Sequence, residues 1–454
     1  MTEDALAGLE SLAAAATPDF GELETDFGRL VTGQALAVER PRSPGELASV
    51  FAEARRMRKR LSIRGGGMSQ SGQSVPDSSV VVDLSSWNRL EGIHSGRQSI
   101  RCQPGASWRQ VLQATLPLGL APKVYPLNLD LTVGGTLSAG GLGATSHRHG
   151  FAAEHVLGAE VVLASGEPVV TSPSDNRDVY DSVFGGVGRV GAICSVELAL
   201  ERVSQRVETL LLRYDAPSRL VADQLTLTSR SAASYVSGMC SAAIMGLVQG
   251  PGGRRGPLRR WSYILELTFP AGADTGTDLL DGLGFSEILH READNLESYS
   301  SRFDVRFEMM RITGAWQQAH PWFEALVPAS EAESTLAKVQ ALPPFFGDGH
   351  RISVVADGQR PAAVAYPRQS PAVVIAVLPM GVPAPLVPMA LQQIAALDAH
   401  IYGVGGCRYL SGWLSRTGEF DWRKHYTKHF SRLAALRQRF DPDDVLCSKL
   451  PSFQ

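Results

Sequence analysis

The stretch SIRGGGMSQSGQS, residues 62–74, places three consecutive glycines between an arginine and a run of small polar residues. The apolar residues just before the glycines and the segment VVVDLSSW, residues 80–87, each predict a β-strand. Glycines at such a turn accept positive φ, and their backbone N–H groups can form a concave site for an anion. Taken alone, this loop is explained equally well by a tight turn that binds nothing.

A helix is predicted upstream of this loop. The sequence SPGE, residues 43–46, combines a capping box with a proline at the first helical position. The residues that follow give the helix one apolar face, made of Leu47, Val50, Phe51 and Ala54. The first thirty residues of the chain also have a helical pattern.

Two further glycine-rich loops change the interpretation of the first one. LTVGGTLSAGGLGATSHRHG covers residues 131–150, and FGGVGRVGAI covers residues 184–193. Apolar segments that predict strands, VLGAEVVLASG and AICSVELAL, alternate with these loops, which a flexible linker would not show. Three such loops in one half of the chain indicate a long cofactor that carries phosphate groups.

Composition limits the class of protein. A chain of 454 residues with 44% apolar and 20% charged residues predicts two globular domains. The net charge of −3 gives no support for nucleic-acid binding, and RGPLRR, residues 255–260, is predicted to be a surface loop.

The cysteine content and the lack of long apolar runs indicate the cellular compartment of the protein. The five cysteines are odd in number, widely spaced and without a CxxC pair, so we expect neither disulfides nor a zinc site. The start, MTEDALAGLE, has no apolar signal region, and no run of eighteen apolar residues occurs. These features predict a cytoplasmic protein with reduced thiols and no membrane partner.

Several stretches carry a resemblance to a known family. TVGGTLSAGGLGATSHRHG, residues 132–150, and FGGVGRVGAICSVELAL, residues 184–200, resemble the FAD-binding domain of the vanillyl-alcohol oxidase, or PCMH-type, flavoproteins. AHPWFEALVPAS at 319–330, DWRKHYTKHF at 421–430 and RFDPDDVL at 439–446 are most similar to cytokinin dehydrogenases. The resemblance covers most of the chain, in order.

The resemblance implies a two-domain α+β fold. The FAD-binding domain would comprise residues 1–205 and be completed by residues 409–454. Residues 206–408 would form a substrate domain, or cap, with a large antiparallel sheet flanked by helices. Long apolar segments such as RRWSYILELTFP and AVVIAVLPM after residue 204 agree with this division.

The resemblance also implies a set of residues around FAD. Backbone amides and small hydroxyl side chains suit the pyrophosphate, the ribityl chain and the flavin edge. The residues expected to contact the cofactor are Arg64, Gly65, Gly66, Gly67, Met68, Ser69, Gln73, Gly134, Gly135, Thr136, Ser138, Gly140, Gly141, Gly143, Thr145 and Ile193. For any single glycine among these, a turn or bulge is the alternative explanation.

The sequence departs from cytokinin dehydrogenases where those enzymes attach FAD covalently. Met68 stands where their histidine bonds to the flavin 8α-methyl, and a thioether has no nitrogen nucleophile. The segment around His147 and His149 has no cysteine that could replace it. We therefore expect FAD to be held without a covalent bond, with Met68 packed against the flavin as a flexible apolar side chain.

Two acids that meet the substrate in cytokinin dehydrogenases are also missing. Leu127 and Ser237 occupy their positions, so we expect a substrate other than a cytokinin. Asp130 is the nearest replacement acid, but its offset of three residues would turn it to the opposite side of an extended segment. Trp322 is expected either to stack on the substrate or to pack in the core.

The remaining candidates are residues at the return to the first domain and two histidine pairs. Tyr409 and Arg408 are expected near the flavin and, with Asp130, complete the predicted catalytic set. Asp348 with His350 suits a solvated turn better than a proton-transfer pair. His425 and His429 have helical spacing but no third ligand, so the sequence predicts a solvent-facing pair on a helix surface and not a metal site.

The predicted function is that of an FAD-dependent oxidoreductase. A small organic substrate, such as a specialised-metabolite intermediate, would lose a hydride to the flavin, and O₂ or another acceptor would reoxidise the cofactor. Two alternatives stay open: a redox-neutral cyclisation or isomerisation, and a flavin-binding protein without catalysis.

Overall fold

The computed structural model describes residues 20–230, 233–249, 255–272, 279–347, 349–416 and 420–453. The predicted N-terminal helix falls mainly on residues 1–19, which lie outside the described residues. The described chain forms three β-sheets with helices between and beside them. This α+β architecture agrees with the fold class predicted from the sequence.

A small parallel sheet carries the first glycine loop. Its strands are β1 (Gln34–Glu39), β2 (Leu61–Arg64) and β3 (Asp77–Asp83), in the order β1-β3-β2. The predicted helix is α1 (Pro44–Arg56), and the side chain of Ser43 accepts a hydrogen bond from the Glu46 N–H at 3.2 Å. The glycine loop follows β2 directly, so the sheet fixes where the loop begins.

A second, antiparallel sheet has six strands in the N-terminal half. The strands are β4 (Leu90–His94), β5 (Ser99–Cys102), β6 (Leu120–Pro122), β7 (Val156–Leu163), β8 (Pro168–Thr171) and β9 (Gly191–Arg202). Their order is β4-β5-β9-β7-β8, with β6 paired to β9. The helices between them are α2 (Trp108–Thr115), α3 (Val133–Ala139), α4 (Ser146–His149) and α5 (Arg177–Val183).

The third sheet is antiparallel and has eight strands. These are β10 (Arg206–Tyr214), β11 (Tyr235–Gln249), β12 (Arg255–Pro270), β13 (Glu287–Asn295), β14 (Phe323–Pro328), β15 (Gly349–Val355), β16 (Ala372–Val377) and β17 (Cys407–Arg408). Their order is β13-β10-β12-β11-β15-β16-β14-β17. The associated helices are α6 (Pro217–Thr228), α7 (Leu296–Ser300), α8 (Asp304–Ile312), α9 (Ala332–Gln340) and α10 (Val387–Gly403).

The basic segment at 255–260 is a strand, which corrects the prediction of a surface loop. It begins β12 and pairs with β11 through the partners Gln249 and Arg255. The two strands continue beyond the neighbouring strand β15 as a hairpin, and this long ladder supplies the hydrogen bonds that make the segment extended.

The two faces of the eight-stranded sheet have different surroundings. Alternate residues such as Phe323, Ala325 and Ile352 are fully buried in a core shared with helices α6, α9 and α10. The residues between them, including Glu324 and Arg351, face a cavity. Because side chains in a strand alternate between faces, this single sheet builds both a core and a cavity wall.

The C-terminal segment returns to the first sheet. It contains α11 (Trp422–Tyr426) and α12 (Phe430–Phe440), and α12 contacts α5. After them, the N–H of Leu61 donates to Val445 and the N–H of Cys447 donates to Leu61, both at 2.8 Å. All strands of the eight-stranded sheet lie between residues 206 and 408, while the functional assignment of the three predicted segments stays a prediction.

Helix α1 provides a test of the first core. Phe51 is fully buried and Ser49 is exposed on the same helix. Phe51→Ala should lower the free energy of unfolding by about 3–5 kcal/mol, because it removes a ring and leaves a cavity. Ser49→Ala should change it by less than about 0.5 kcal/mol in the same urea titration. Equal effects of the two substitutions would contradict the observed orientation of the helix.

Candidate active site

A cavity of about 670 Å³ lies between the glycine loops and the open face of the eight-stranded sheet. One side is lined by residues 65–69 and by residues on helix α3 and the loop after it. Strands β11, β14, β15 and β16 line the other side, together with helix α8. Its size is in the usual range for a small-molecule or cofactor site.

The glycines of the first loop have different physical roles. Gly67 has φ +67°, and a Cβ there would overlap the guanidinium group of Arg64. Gly66 has ordinary φ and faces the cavity, and a Cβ there would come no closer than 3.6 Å to Thr132. Gly67 is therefore required by the backbone, whereas the lack of a side chain at Gly66 leaves space in the cavity.

Arg64 stabilises the loop and is not among the residues that line the cavity, so its contact with the cofactor stays a prediction. Its guanidinium donates to the carbonyl oxygens of Thr25 at 2.8 Å, Ser74 at 3.2 Å and Glu22 at 2.9 Å. A charged side chain with three such acceptors is held in place. The sequence places Arg64 correctly at the strand end but does not show which way its side chain turns.

Asp26 is a second residue that holds this loop, and the sequence analysis missed it. Its carboxylate accepts hydrogen bonds from the N–H of Gly72 at 2.8 Å and from the Ser69 hydroxyl at 2.9 Å. Burial raises the pKa of Asp26 to about 6, although these hydrogen bonds act in the opposite direction. Phe27 adds a backbone hydrogen bond to the Gly67 carbonyl at 2.8 Å.

The second glycine loop divides into residues that line the cavity and residues that shape the turn. Five residues that the sequence predicts to contact the cofactor line the cavity: Gly134, Gly135, Thr136, Ser138 and Gly143.

Three other residues of this loop, Gly140, Gly141 and Thr145, are not among the residues that line the cavity, and their contact with the cofactor stays a prediction. Gly140 and Gly141 have φ +107° and +80°, and a Cβ at Gly141 would lie 2.7 Å from Ala152. Thr145 is buried with 3% exposure. The two glycines are explained by backbone conformation and close packing, and Thr145 by burial beside the loop.

The other predicted binding residues line the cavity, although two use their polar atoms elsewhere. Leu127, Ser237 and Ile193 are part of its wall. The Gln73 side chain donates to the Leu410 carbonyl at 2.5 Å. The Trp322 indole donates to the Pro379 carbonyl at 2.9 Å, so its ring has a fixed position in the wall.

Two of the three predicted catalytic residues lie outside the cavity. Asp130 forms an ion pair with Arg109 at 2.8 Å, and Arg109 binds Asp304 at 2.9 Å. Arg408 has a fully buried side chain that pairs with Asp398. Both charges are therefore used in ion pairs, and neither residue is among those that line the cavity.

Tyr409 lines the cavity, while its catalytic role stays a prediction. Its hydroxyl accepts a hydrogen bond from the Gly141 N–H at 3.1 Å. Burial raises the pKa of Tyr409, so the phenol stays protonated at neutral pH. The residue therefore contributes a fixed hydroxyl between the second glycine loop and the cavity.

Glu324 is a functional candidate that the sequence analysis missed. It is the single carboxylate among the described residues that line the cavity. It accepts a hydrogen bond from the Ser411 hydroxyl, and burial raises its pKa. The signal was present in the sequence as one acid in the otherwise apolar strand FEALVP, residues 323–328.

The two histidine pairs named from the sequence differ in their position relative to the cavity. His350 lines the cavity beside the ring of Trp261, whereas Asp348 lies outside the described residues. His425 is buried, and burial lowers its pKa to about 3, which corrects the prediction of a solvent-facing pair with His429. Within the described ranges, no group of three His, Cys, Asp or Glu residues is arranged to hold a metal ion.

The five cysteines are free thiols, and four of them are buried. The searched part of the chain has no helix that is long and apolar enough to cross a membrane.

Comparison with known proteins shows what this chain is similar to. Residues 35–172 match a family model described as an FAD binding domain. The chain is 27% identical to "Uncharacterized oxidoreductase ORF5 in fasciation locus" of Rhodococcoides fascians, with 93% of this chain and 94% of that protein covered.

Plant proteins show a similar degree of likeness. The chain is 27% identical to cytokinin dehydrogenase 7 of Oryza sativa subsp. japonica, with 93% and 87% of the two chains covered. It is 28% identical to cytokinin dehydrogenase 5 of the same plant, with 95% and 89% covered.

The cavity suits FAD on its own geometry. Two glycine loops expose backbone without side chains, as at Gly66 and Gly135, and the cavity-lining residues of these loops carry no carboxylate. An anionic pyrophosphate requires such a surface.

Gly66 and Gly67 form a matched pair for testing this surface. Gly66→Val should leave the free energy of unfolding of the FAD-free protein nearly unchanged but abolish FAD loading, because the new side chain enters the cavity. Gly67→Val should lower thermal stability itself, since a β-branched residue resists positive φ and overlaps Arg64. Flavin absorbance per polypeptide and urea unfolding measure the two effects. A fully yellow Gly66→Val protein would contradict the position of the cofactor.

Proposed function

Because the protein is a PCMH-type FAD-binding flavoprotein that resembles cytokinin dehydrogenases, we propose that it holds FAD without a covalent bond and oxidises a small organic substrate by hydride removal. It is an FAD-dependent oxidoreductase. The observation that carries it is one cavity in which two glycine loops face the carboxylate of Glu324.

We assign residues 1–205 and 409–454 to the FAD-binding domain and residues 206–408 to the substrate domain. The backbone at Gly65, Gly66 and Gly135 would hold the cofactor, since these glycines line the cavity. Asp26 and Arg64 would act at a distance by keeping the first loop in place. Bound FAD would supply the hydride acceptor.

Met68 supports non-covalent attachment. It lines the cavity and packs against an aromatic cluster that contains Phe27 and Phe307. A thioether in this position can fill an irregular gap but cannot form the nitrogen–carbon bond of a histidyl flavin. Retention of FAD would then depend on the folded protein alone.

Glu324 is proposed as the proton acceptor. Loss of a hydride from a C–H bond beside nitrogen or oxygen leaves a proton on that heteroatom, and a carboxylate in the cavity can take it. The Ser411 hydroxyl donates to Glu324 and favours the ionised form, which opposes the effect of burial. The backbone N–H of Tyr409 donates to the Glu324 carbonyl at 3.0 Å, and the Tyr409 hydroxyl would orient the substrate from the second glycine loop. O₂ or another acceptor would then reoxidise the cofactor.

The substrate is proposed not to be a cytokinin. Leu127 and Ser237 both line the cavity, and neither carries the acid found in the resembling plant enzymes. The lining near Glu324 offers instead aromatic rings and cationic side chains, among them Phe303, Trp322 and Arg351.

Anaerobic mixing with candidate substrates tests the function directly. A panel of amines and alcohols, each with a carboxylated analogue, should contain a compound that bleaches the flavin absorbance in proportion to product formed. Turnover without any change in the oxidation state of the substrate would instead indicate a redox-neutral reaction.

Denaturation of the protein tests whether FAD is attached covalently. Acid or heat denaturation should release all flavin into the supernatant, because no nucleophile replaces histidine at Met68. The intact mass of the denatured polypeptide should equal that of the bare chain. A mass increase of one FAD that survives denaturation would contradict non-covalent binding.

The raised pKa of Glu324 predicts that the rate of flavin reduction depends on pH. Since burial raises its pKa, the carboxylate form increases as pH rises through that pKa, and the reduction rate should rise with it to a plateau. Glu324→Gln should slow reduction about 10²–10⁴-fold and remove the rise.

Ser411→Ala provides the matched control for Glu324. It removes the hydrogen bond that lowers the pKa of Glu324, so the rise should move to higher pH while FAD loading stays unchanged. An unaltered profile in both variants would assign the proton transfer to another group.

A further inference from the structure

The substrate side of the cavity carries three arginines that the sequence analysis did not select. Arg302 follows helix α7, Arg306 lies on helix α8 and Arg351 lies on strand β15, and all three line the cavity. Arg302 and Arg306 are four residues apart, whereas Arg351 lies on a strand much further along the chain, so the tertiary structure brings Arg351 to the other two.

Their charges are only partly balanced. Arg302 donates to the Glu266 carboxylate from two nitrogens, at 3.0 and 2.6 Å. In the described parts of the chain, neither Arg306 nor Arg351 has a carboxylate at ion-pair distance. Arg306 donates to the Leu378 carbonyl, and Arg351 makes a long contact of 3.4 Å with the Ser237 hydroxyl. Neither guanidinium therefore has a direct ion-pair partner among the described residues, although the charge of Glu266 acts on Arg351 from further away.

The surroundings make these charges costly to leave unbalanced. The Arg351 guanidinium lies 4.3 Å from the centre of the Phe303 ring, and the cavity wall nearby is largely apolar. Burial lowers the pKa of Arg351 to about 10; the charge of Glu266 opposes this shift, and the charges of Arg302 and Arg306 add to it. A bound anion would compensate this cost, because guanidinium and carboxylate form strong paired hydrogen bonds.

The register of the sheet relates Arg351 to Glu324. Arg351 pairs with Ala376, and Ala376 pairs with Glu324, so the three lie in one row across β15, β16 and β14 on the cavity face. Two strand spacings separate the outer pair by about 10 Å at the backbone. The small side chain of Ala376 leaves the space between them open, and one small molecule can reach both.

From this row, the geometry points to an anionic substrate: Arg351 and Arg306 bind its carboxylate while the carbon to be oxidised lies toward Glu324. This inference rests on the proposed function, since it names the substrate class of the same site. The aromatic side chains Phe303 and Trp322 would cover the apolar part of the molecule.

Ligand binding to the FAD-loaded protein tests the inference without turnover. Benzoate, phenylacetate and hexanoate should perturb the flavin absorbance, each at a concentration at least about 10-fold lower than its amide. Arg351→Gln and Arg306→Gln should each weaken carboxylate binding about 10- to 100-fold, the effect of losing a charged hydrogen-bond partner. FAD content should stay at one per chain in both variants.

Two controls separate the alternatives. Arg97→Gln removes the same charge from an exposed turn outside the cavity and should not change binding. Glu324→Gln should keep carboxylate binding, so failure of the proposed proton transfer can be distinguished from failure of this inference.

Several results would overturn the inference. One is that all three carboxylates bind no better than their amides. Another is that inorganic phosphate competes as well as benzoate, which would mean an unspecific oxyanion site. Loss of FAD from Arg351→Gln would instead assign the arginines to the cofactor phosphates.

Discussion

The buried ion pair between Arg408 and Asp398 joins helix α10 to the β14–β17 end of the eight-stranded sheet. Both side chains have no exposure to solvent. Arg408 also donates to the carbonyl oxygens of Glu324 at 2.9 Å and Trp413 at 2.6 Å. One guanidinium therefore connects helix α10, strand β14 and the segment after β17. A buried charge requires all of these partners, so their relative positions are closely determined.

The candidate chemistry depends on this arrangement. Glu324 lies on β14, while Tyr409 and Ser411 lie just after Arg408, and all three side chains line the cavity. Arg408 itself does not line the cavity, although the sequence predicted that it lies near the flavin. It acts as a positioning residue for the groups on either side, in the same way that Arg64 and Asp26 position the first glycine loop.

Charged residues were the least predictable part of the site. Arg64, Asp130 and Arg408 are each close in sequence to cavity residues, but their side chains turn to ion pairs or carbonyl groups elsewhere. Glu324, Arg306 and Arg351 were not selected, although they line the cavity. The direction of a polar side chain is determined by partners far along the chain, and no local pattern contains that information.

The sequence by itself determined the strand-helix-strand unit around SIRGGGMSQSGQS, the glycine loops and the change to a large antiparallel sheet after residue 204. These features depend on local properties: strand alternation, helix capping and the conformational freedom of glycine. Tertiary structure alone decided which glycines face the cavity, as at Gly66, and which only permit a turn, as at Gly67. It also brought Arg351, Ala376 and Glu324 into one row, because strand order and register follow from packing across the whole sheet.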